Sequence, residues 1–76
     1  MNFLERRKIE KICNNWNYKC DFIKDSNNFI VYGKEDKYTK LKYVSELLIL
    51  DLKELNYYIS EVFYSNKLEV IFTKNR

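Results

Sequence analysis

The chain begins with an apolar pattern of helical spacing. Four apolar residues fall on one face when the segment is placed on a helix: Ile9, Ile12, Cys13 and Trp16. Asn2 can cap the start of this helix, and Glu5, three residues later, can complete a capping box. Asn14, Asn15 and Asn17 predict its end, because asparagine tolerates the left-handed backbone conformation that closes many helices.

The spacing of apolar residues then changes to two, which predicts strands. Apolar and polar side chains alternate over residues 18–24, so this segment is expected to be a half-buried strand. Residues 25–28 (Asp-Ser-Asn-Asn) form the strongest turn sequence in the chain, and residues 29–33 are the returning strand of a hairpin. A charged turn at residues 34–37 leads into a third strand that begins at Tyr38.

Residues 44–63 allow two interpretations. As one long helix they carry an apolar stripe: Leu48, Leu52, Leu55, Ile59 and Val62. As the end of the third strand, they continue an alternation of apolar residues: Leu41, Tyr43, Leu47 and Ile49. Residues 51–54 (Asp-Leu-Lys-Glu) fit a capping box, and Leu50 precedes them as part of a hydrophobic staple. We therefore predict that the strand ends near Ile49 and that a second helix occupies residues 52–64.

A last strand completes the predicted fold. In this strand, Leu68, Val70 and Phe72 alternate with a second set of residues, namely Glu69, Ile71 and Thr73. The element order is then α-β-β-β-α-β, a single α+β domain over residues 1–76 with two helices on one face of a small, mainly antiparallel sheet. Ile30 and Tyr32, or Phe29 and Val31, would lie on the open sheet face, which is a candidate contact patch and a candidate homodimer surface.

The helix, three strands and helix predicted over residues 3–64 are similar in topology to the double-stranded RNA-binding domain. That family contacts phosphates with a lysine cluster at the start of its second helix. The corresponding position here holds Leu52, Lys53 and Glu54 behind the acidic residue Asp51. Because a carboxylate repels a phosphate, the RNA-binding function is not carried over to this chain.

Composition argues against an enzyme. The 76 residues include no histidine, no proline and one glycine, Gly33. Histidine is the usual group that titrates near neutral pH, and glycines build the loops that cradle phosphates. We predict neither a catalytic site nor a cofactor. Cys13 and Cys20, without histidine, cannot supply the four ligands of a zinc site. They are expected to be reduced, buried thiols, with a disulfide as the alternative.

The chain also has no predicted membrane segment. Its longest aliphatic run is 47–50, far below the roughly 20 residues that span a bilayer. Charged residues interrupt the first twelve positions, so no secretory signal is predicted. We expect a cytoplasmic protein that does not bind membranes.

The function predicted first is protein binding. Tyr57 and Tyr64 are seven residues apart on the outer side of the predicted second helix, with Glu54 and Glu61 repeating beside them. Exposed tyrosines commonly anchor protein interfaces. More than half of the residues belong to six types with AT-rich codons, which is typical of AT-rich bacteria and their phages. We therefore predict a phage or mobile-element inhibitor of a host system, similar in kind to anti-CRISPR proteins.

The alternative function is weak, sequence-nonspecific binding of nucleic acid. Lysines cluster around the second predicted turn, with tyrosines between them: Lys34, Lys37, Lys40 and Lys42. The first helix would add four more cations to this surface: Arg6, Arg7, Lys8 and Lys11. Lysines that contact phosphates, combined with aromatic rings that stack on bases, hold single strands without sequence preference. The net charge of +3 is mild for such a function.

Overall fold

Two helices and a four-stranded antiparallel sheet make up the part of the chain that the structure, a computed structural model, describes: residues 1–33, 45–64 and 68–75. The elements are α1 (Phe3–Asn15), β1 (Tyr18–Phe22), β2 (Phe29–Gly33), α2 (Glu46–Glu54), β3 (Tyr57–Tyr64) and β4 (Leu68–Lys74). The strand order in the sheet is β1-β2-β4-β3, so β1 and β3 are its two edges. The fold class is therefore α+β, as predicted.

The first helix and the first hairpin are confirmed. Asn2 caps α1, with its side-chain oxygen accepting a hydrogen bond from the Glu5 backbone N–H at 2.8 Å. Ile9 and Cys13 on the predicted stripe are buried. In the turn between β1 and β2, the Ser26 hydroxyl donates to the Ile23 carbonyl and accepts from the Asn28 N–H.

The prediction for the start of the second helix is wrong. Residues 46–49, expected to end a strand, form the first turn of α2. Ser45 rather than Asp51 is the N-cap, and its hydroxyl accepts from the Leu47 N–H at 3.3 Å. Leu50, expected in a hydrophobic staple, is exposed. The first part of the predicted third strand, residues 38–44, lies outside the described residues.

The prediction for the end of that helix is also wrong. The helix ends at Glu54, and residues 57–64, expected to be helical, form the strand β3. Asn56 causes the change of direction, because its φ of 67° is left-handed and its N–H donates to the Lys53 carbonyl. Six of the next eight residues are aromatic or β-branched, which favours a strand.

The observed order is therefore α-β-β-α-β-β rather than α-β-β-β-α-β. In the described residues, two strands and not three separate the helices, so the topology on which the resemblance to the RNA-binding domain depended is not observed. The expectation that both helices cover one face of the sheet is confirmed, since their buried residues share one core with the strands. That core consists of Ile9, Cys13, Tyr18, Phe29, Val31, Leu48, Leu52, Tyr57, Leu68, Val70 and Phe72.

The described part of the chain contains a structural repeat. Each half is a helix followed by two antiparallel strands, and β2 and β4 join the halves at the centre of the sheet. Each helix is followed by an asparagine of positive φ, which is Asn17 after α1 and Asn56 after α2. The next residue is a buried tyrosine that begins a strand, Tyr18 or Tyr57. Each of these tyrosine hydroxyls bonds to the beginning of the helix in the other half. The two halves are thus related as by a two-fold axis.

Candidate protein-binding edge

One side of the edge strand β3 is open in the described part of the chain. β4 pairs with β3 on one side, and no described strand pairs with the other. An edge strand presents unpaired backbone N–H and C=O groups, which are a template for another strand. At eight residues, β3 is the longest strand of the sheet. It therefore offers more backbone for pairing than the other edge.

Four large apolar side chains on β3 are exposed to solvent: Tyr58, Ile59, Val62 and Phe63. A bulge divides them between the two sheet faces, because Ile59 pairs with Phe72 while Glu61 pairs with the next residue of β4. Ile59 and Val62 therefore share the face that the helices cover. Tyr58 and Phe63, whose partners on β4 point the other way, lie on the open face. The edge is therefore largely apolar on both faces, with the exposed Glu61 as the charged residue on its open face.

The edge at β1 is different. β1 has five residues, and Lys19 and Asp21 on its open-face side are exposed. Charged side chains on a short edge strand oppose pairing with another chain. On the covered face of β1, Cys20 and Phe22 are partly buried against the core. The two edges of one sheet are thus built with opposite character.

The open sheet face carries apolar side chains, as predicted. Phe29 and Val31 are buried in the core, so the alternate residues Ile30 and Tyr32 lie on the open face. Ile30 pairs with Ile71 of β4, and both side chains are partly buried. Partial burial and the nearby Asp21 carboxylate raise the pKa of Tyr32. On β3, Glu61 is the residue opposite Ile71, and Tyr58 and Phe63 lie on either side of it on this face.

The four residues predicted to form a protein interface do not share an outer helical face. Tyr57, Glu61 and Tyr64 belong to β3, and Glu54 is the exposed last residue of α2. Tyr57 is fully buried, and Glu61 is exposed. The sequence did not indicate that the apolar residues of this strand lie on the surface. The run of aromatic and β-branched residues over 57–64 was the signal that could have identified the strand.

Tyr57 has a structural role at the start of β3. Its hydroxyl donates to a Glu5 carboxylate oxygen at 2.9 Å, and the Lys74 ammonium contacts the same oxygen at 2.7 Å. Burial, followed by the bond to Glu5, raises the pKa of the Tyr57 phenol. The bond from Lys74 is the main cause that lowers the pKa of Glu5. This cluster fixes the first turn of α1 to the beginning of β3 and the end of β4.

The predicted nucleic-acid surface is not brought together by the described residues. Lys34, Lys37, Lys40 and Lys42 lie outside them. The Arg6 guanidinium stands 5.2 Å from the centre of the Phe22 ring. Arg7 lies elsewhere on α1 and lines a groove of about 790 Å³ between α1 and β1. Three further cations line that groove: Lys8, Lys11 and Lys19. Lys19 was not predicted, because only the packing of α1 beside β1 places it there.

Cys13 and Cys20 are free thiols that face each other between α1 and β1. Cys13 is buried, as predicted, whereas Cys20 is partly exposed and lines the same groove. The bond between the two thiols, followed by burial, raises the pKa of Cys13. The same bond lowers the pKa of Cys20. The two cysteines therefore differ in both access and ionisation.

No family model, curated protein or solved structure matches this chain. Within the described residues, no three side chains of the metal-binding types lie close enough together to hold an ion. Neither described helix has the length and apolar character needed to cross a membrane. The proposal for function therefore depends on the surfaces of the fold, of which the β3 edge is the most distinctive.

Proposed function

We propose that this chain is a protein-binding module that accepts an additional strand at the open edge of β3. The observation that supports it is that an eight-residue edge, unpaired by any strand that the structure describes, carries four exposed apolar side chains. Added strands gain affinity from backbone hydrogen bonds and specificity from alternate side chains. A partner strand with apolar residues at matching positions would cover both faces of this edge.

The arrangement of the sheet favours β3 over other surfaces. Sheet edges that are not used for pairing are usually shortened or charged, as β1 is. β3 is longer and carries a single charged residue, Glu61, and its exposed apolar residues are not among the core residues of the described part of the chain. The proposal retains protein binding as the predicted function but moves the site from an outer helical face to a strand edge. Inhibition of a host system through this binding stays a prediction.

Site-specific photo-crosslinking tests this proposal. Val62 and, in a matched control, Leu50 are each replaced by a photo-crosslinking phenylalanine derivative; their exposed fractions are 57% and 56%. Leu50 lies on α2 and not on the edge strand β3. We expect position 62 to give crosslinked products that position 50 does not give. In these products the crosslinks should map to one continuous segment of the partner chain. The same products from both positions, or none from position 62, would contradict the proposal.

The groove between α1 and β1 supports a second candidate function, the binding of a nucleic-acid backbone. Arg7, Lys8, Lys11 and Lys19 line it, with Glu10 as its acidic residue. Affinity that depends on phosphate contacts falls with salt, because each contact releases counterions. Fluorescence anisotropy with labelled single-stranded and double-stranded probes measures this dependence directly.

A charge-reversal pair makes the test of the groove specific. Lys8→Glu combined with Lys11→Glu should abolish binding at low salt, whereas Lys53→Glu, on the exposed side of α2, should retain more of it. Equal loss in the two proteins would indicate an effect of net charge and would exclude the groove as the site. No binding by the unaltered chain at low salt would exclude nucleic acid as a direct ligand.

A further inference from the structure

We infer that the strand accepted at this edge is β3 of a second copy of the chain, an inference that rests on the proposed function. The two strands would run antiparallel about a two-fold axis, with Tyr57 of one copy opposite Tyr64 of the other. The result is one eight-stranded sheet with the helices of both copies on the same side. A two-fold interface must be self-complementary, and the bulge in β3 provides this property.

The bulge places residues three positions apart on the same face. In a regular strand, Ile59 and Val62 would point to opposite faces, because the side-chain period is two. Here Ile59 pairs with Phe72 and Val62 with Val70, and both partners are buried beneath the helices. Ser60 is the extra residue, since the pairing passes from Ile59 directly to Glu61. Ile59 and Val62 therefore share a face.

This arrangement makes the edge match itself. In the register above, Ile59 stands opposite Val62 of the second copy on the covered face. Tyr58 stands opposite Phe63 of the second copy on the open face. Each pair occurs twice by symmetry, and all four residues are among the exposed apolar residues of the chain. Aromatic and β-branched pairs directly opposite each other are the ones that stabilise sheets.

Backbone hydrogen bonding and charge agree with the same register. Phe72 and Val70 are two residues apart on β4, so the backbone groups of their partners on β3 point in the same direction. Opposite residues therefore both face the edge or both face β4, as antiparallel pairing requires. At the centre, Ser60 stands opposite Glu61 of the second copy, so the two Glu61 carboxylates are diagonal neighbours across the axis and not directly opposite each other.

Analytical ultracentrifugation over a range of micromolar concentrations tests the inference with the full chain. We expect a reversible dimer with twice the mass of one chain. Val62→Lys should weaken the dimer at least tenfold, because an ammonium would face Ile59 of the second copy. Leu50→Lys introduces the same charge at an equally exposed position and should leave the dimer intact. Circular dichroism would establish that both variants remain folded.

The register is tested by disulfide trapping. Ile59→Cys and Val62→Cys are made in separate chains that also carry Cys20→Ser, because Cys20 is an accessible native thiol, and the two chains are then mixed under mild oxidation. The mixture should form the mixed disulfide, because opposite residues lie about 4.5–5.5 Å apart at Cα. Each chain alone should crosslink far less, because its new thiols are then three positions out of register. Equal crosslinking in all three samples would contradict the register.

The outcomes separate this inference from the proposed function. A dimer that Val62→Lys does not weaken would overturn the inference, because the copies would then associate through another surface. A chain that remains monomeric at every concentration would also overturn it. If position 62 still crosslinks to a different protein in that case, the proposed function of the edge stands. If the chain forms no dimer and position 62 gives no specific crosslink, the β3 edge is not a binding site.

Discussion

Glu5 is the residue that connects the most distant parts of the chain. Its backbone N–H completes the cap of α1, while its carboxylate binds the Tyr57 hydroxyl and the Lys74 ammonium. A capping box would have used the same carboxylate within its own helix. The tertiary contacts prevail here, and they attach α1 to both strands of the second half.

Replacing Glu5 with glutamine should lower the free energy of unfolding at neutral pH. The pair with Lys74 is partly exposed, so solvent screening limits the loss to roughly 0.2–1 kcal/mol. The pKa of Glu5 is lowered from 4.5 in the folded protein, so its stabilisation is present above that value and is lost as the pH falls through the folded pKa. Urea unfolding of Glu5→Gln and of the unaltered chain should therefore differ at neutral pH and converge in acid.

The matched control is Glu10→Gln, at an exposed position of the same helix. It should change the neutral-pH stability less than Glu5→Gln. A difference between Glu5→Gln and the unaltered chain that persists in acid would show that the loss comes from packing and not from the charge.

The two thiols should react at very different rates. Cys20 is partly exposed with a lowered pKa, whereas Cys13 is buried with a raised one. Because the thiolate is the reactive form, iodoacetamide should alkylate Cys20 in the folded protein and Cys13 only after denaturation. Mass spectrometry of peptides after timed alkylation distinguishes the two sites. Similar rates at both sites would mean that α1 opens away from β1 on the time scale of labelling.

At the scale of elements, the residues at which the two helices end determine the topology. Asn17 and Asn56 have left-handed φ values of 65° and 67°, and each turns a helix into a strand within two residues. An alanine at such a position lowers the stability of the folded chain, because its Cβ contacts the backbone in the left-handed conformation. Glycine adopts the same conformation without that contact.

Asn56→Ala should therefore lower the free energy of unfolding by about 1–2 kcal/mol. Asn56→Gly should have a much smaller effect, because only the backbone conformation is required at this position. Thermal unfolding followed by circular dichroism measures both. If the two variants were equally destabilised, a contact of the asparagine side chain, and not its φ, would be responsible.

Much of the fold could be predicted from the sequence, where one periodicity dominated a segment. The stripe with Ile9 and Cys13 identified α1, and the alternation of Val70 and Phe72 identified β4. The same reasoning failed at β3 for a physical reason. Its bulge puts Ile59 and Val62, three residues apart, on one face, which imitates the spacing of a helix. Asn56 was the available signal that the helix had already ended.

The candidate site depended on the same segment and was predicted less well. Tyr57 and Tyr64 were selected as outward residues of a helix, yet Tyr57 is fully buried in a strand. The apolar character of the edge follows only from the strand order, which places β3 beside β4 with its other side open. Strand order depends on contacts between distant residues, such as Val31 with Val70, that no local pattern contains.

At the scale of the whole molecule, the repeated helix–strand–strand unit organises both core and surface. The central pair β2 and β4 carries two fully buried rings, with Phe29 stacked on Phe72 at 5.4 Å between ring centres. The two outer strands occupy equivalent positions but differ in their exposed side chains, which are charged on β1 and mostly apolar on β3. The described part of the fold thus has two similar edges with different surface chemistry.

The contact between Glu5 and Lys74 places the first turn of α1 beside the end of β4. A short linker from residue 76 to residue 1, with new ends opened between residues 33 and 45, would create a circular permutant. Its elements would again run helix, strand, strand, helix, strand, strand, because the two halves are equivalent. We expect this permutant to fold, with the circular dichroism spectrum of the original chain and a similar urea midpoint. A permutant that remains unfolded would show that the connection across residues 34–44 is itself required for the halves to join.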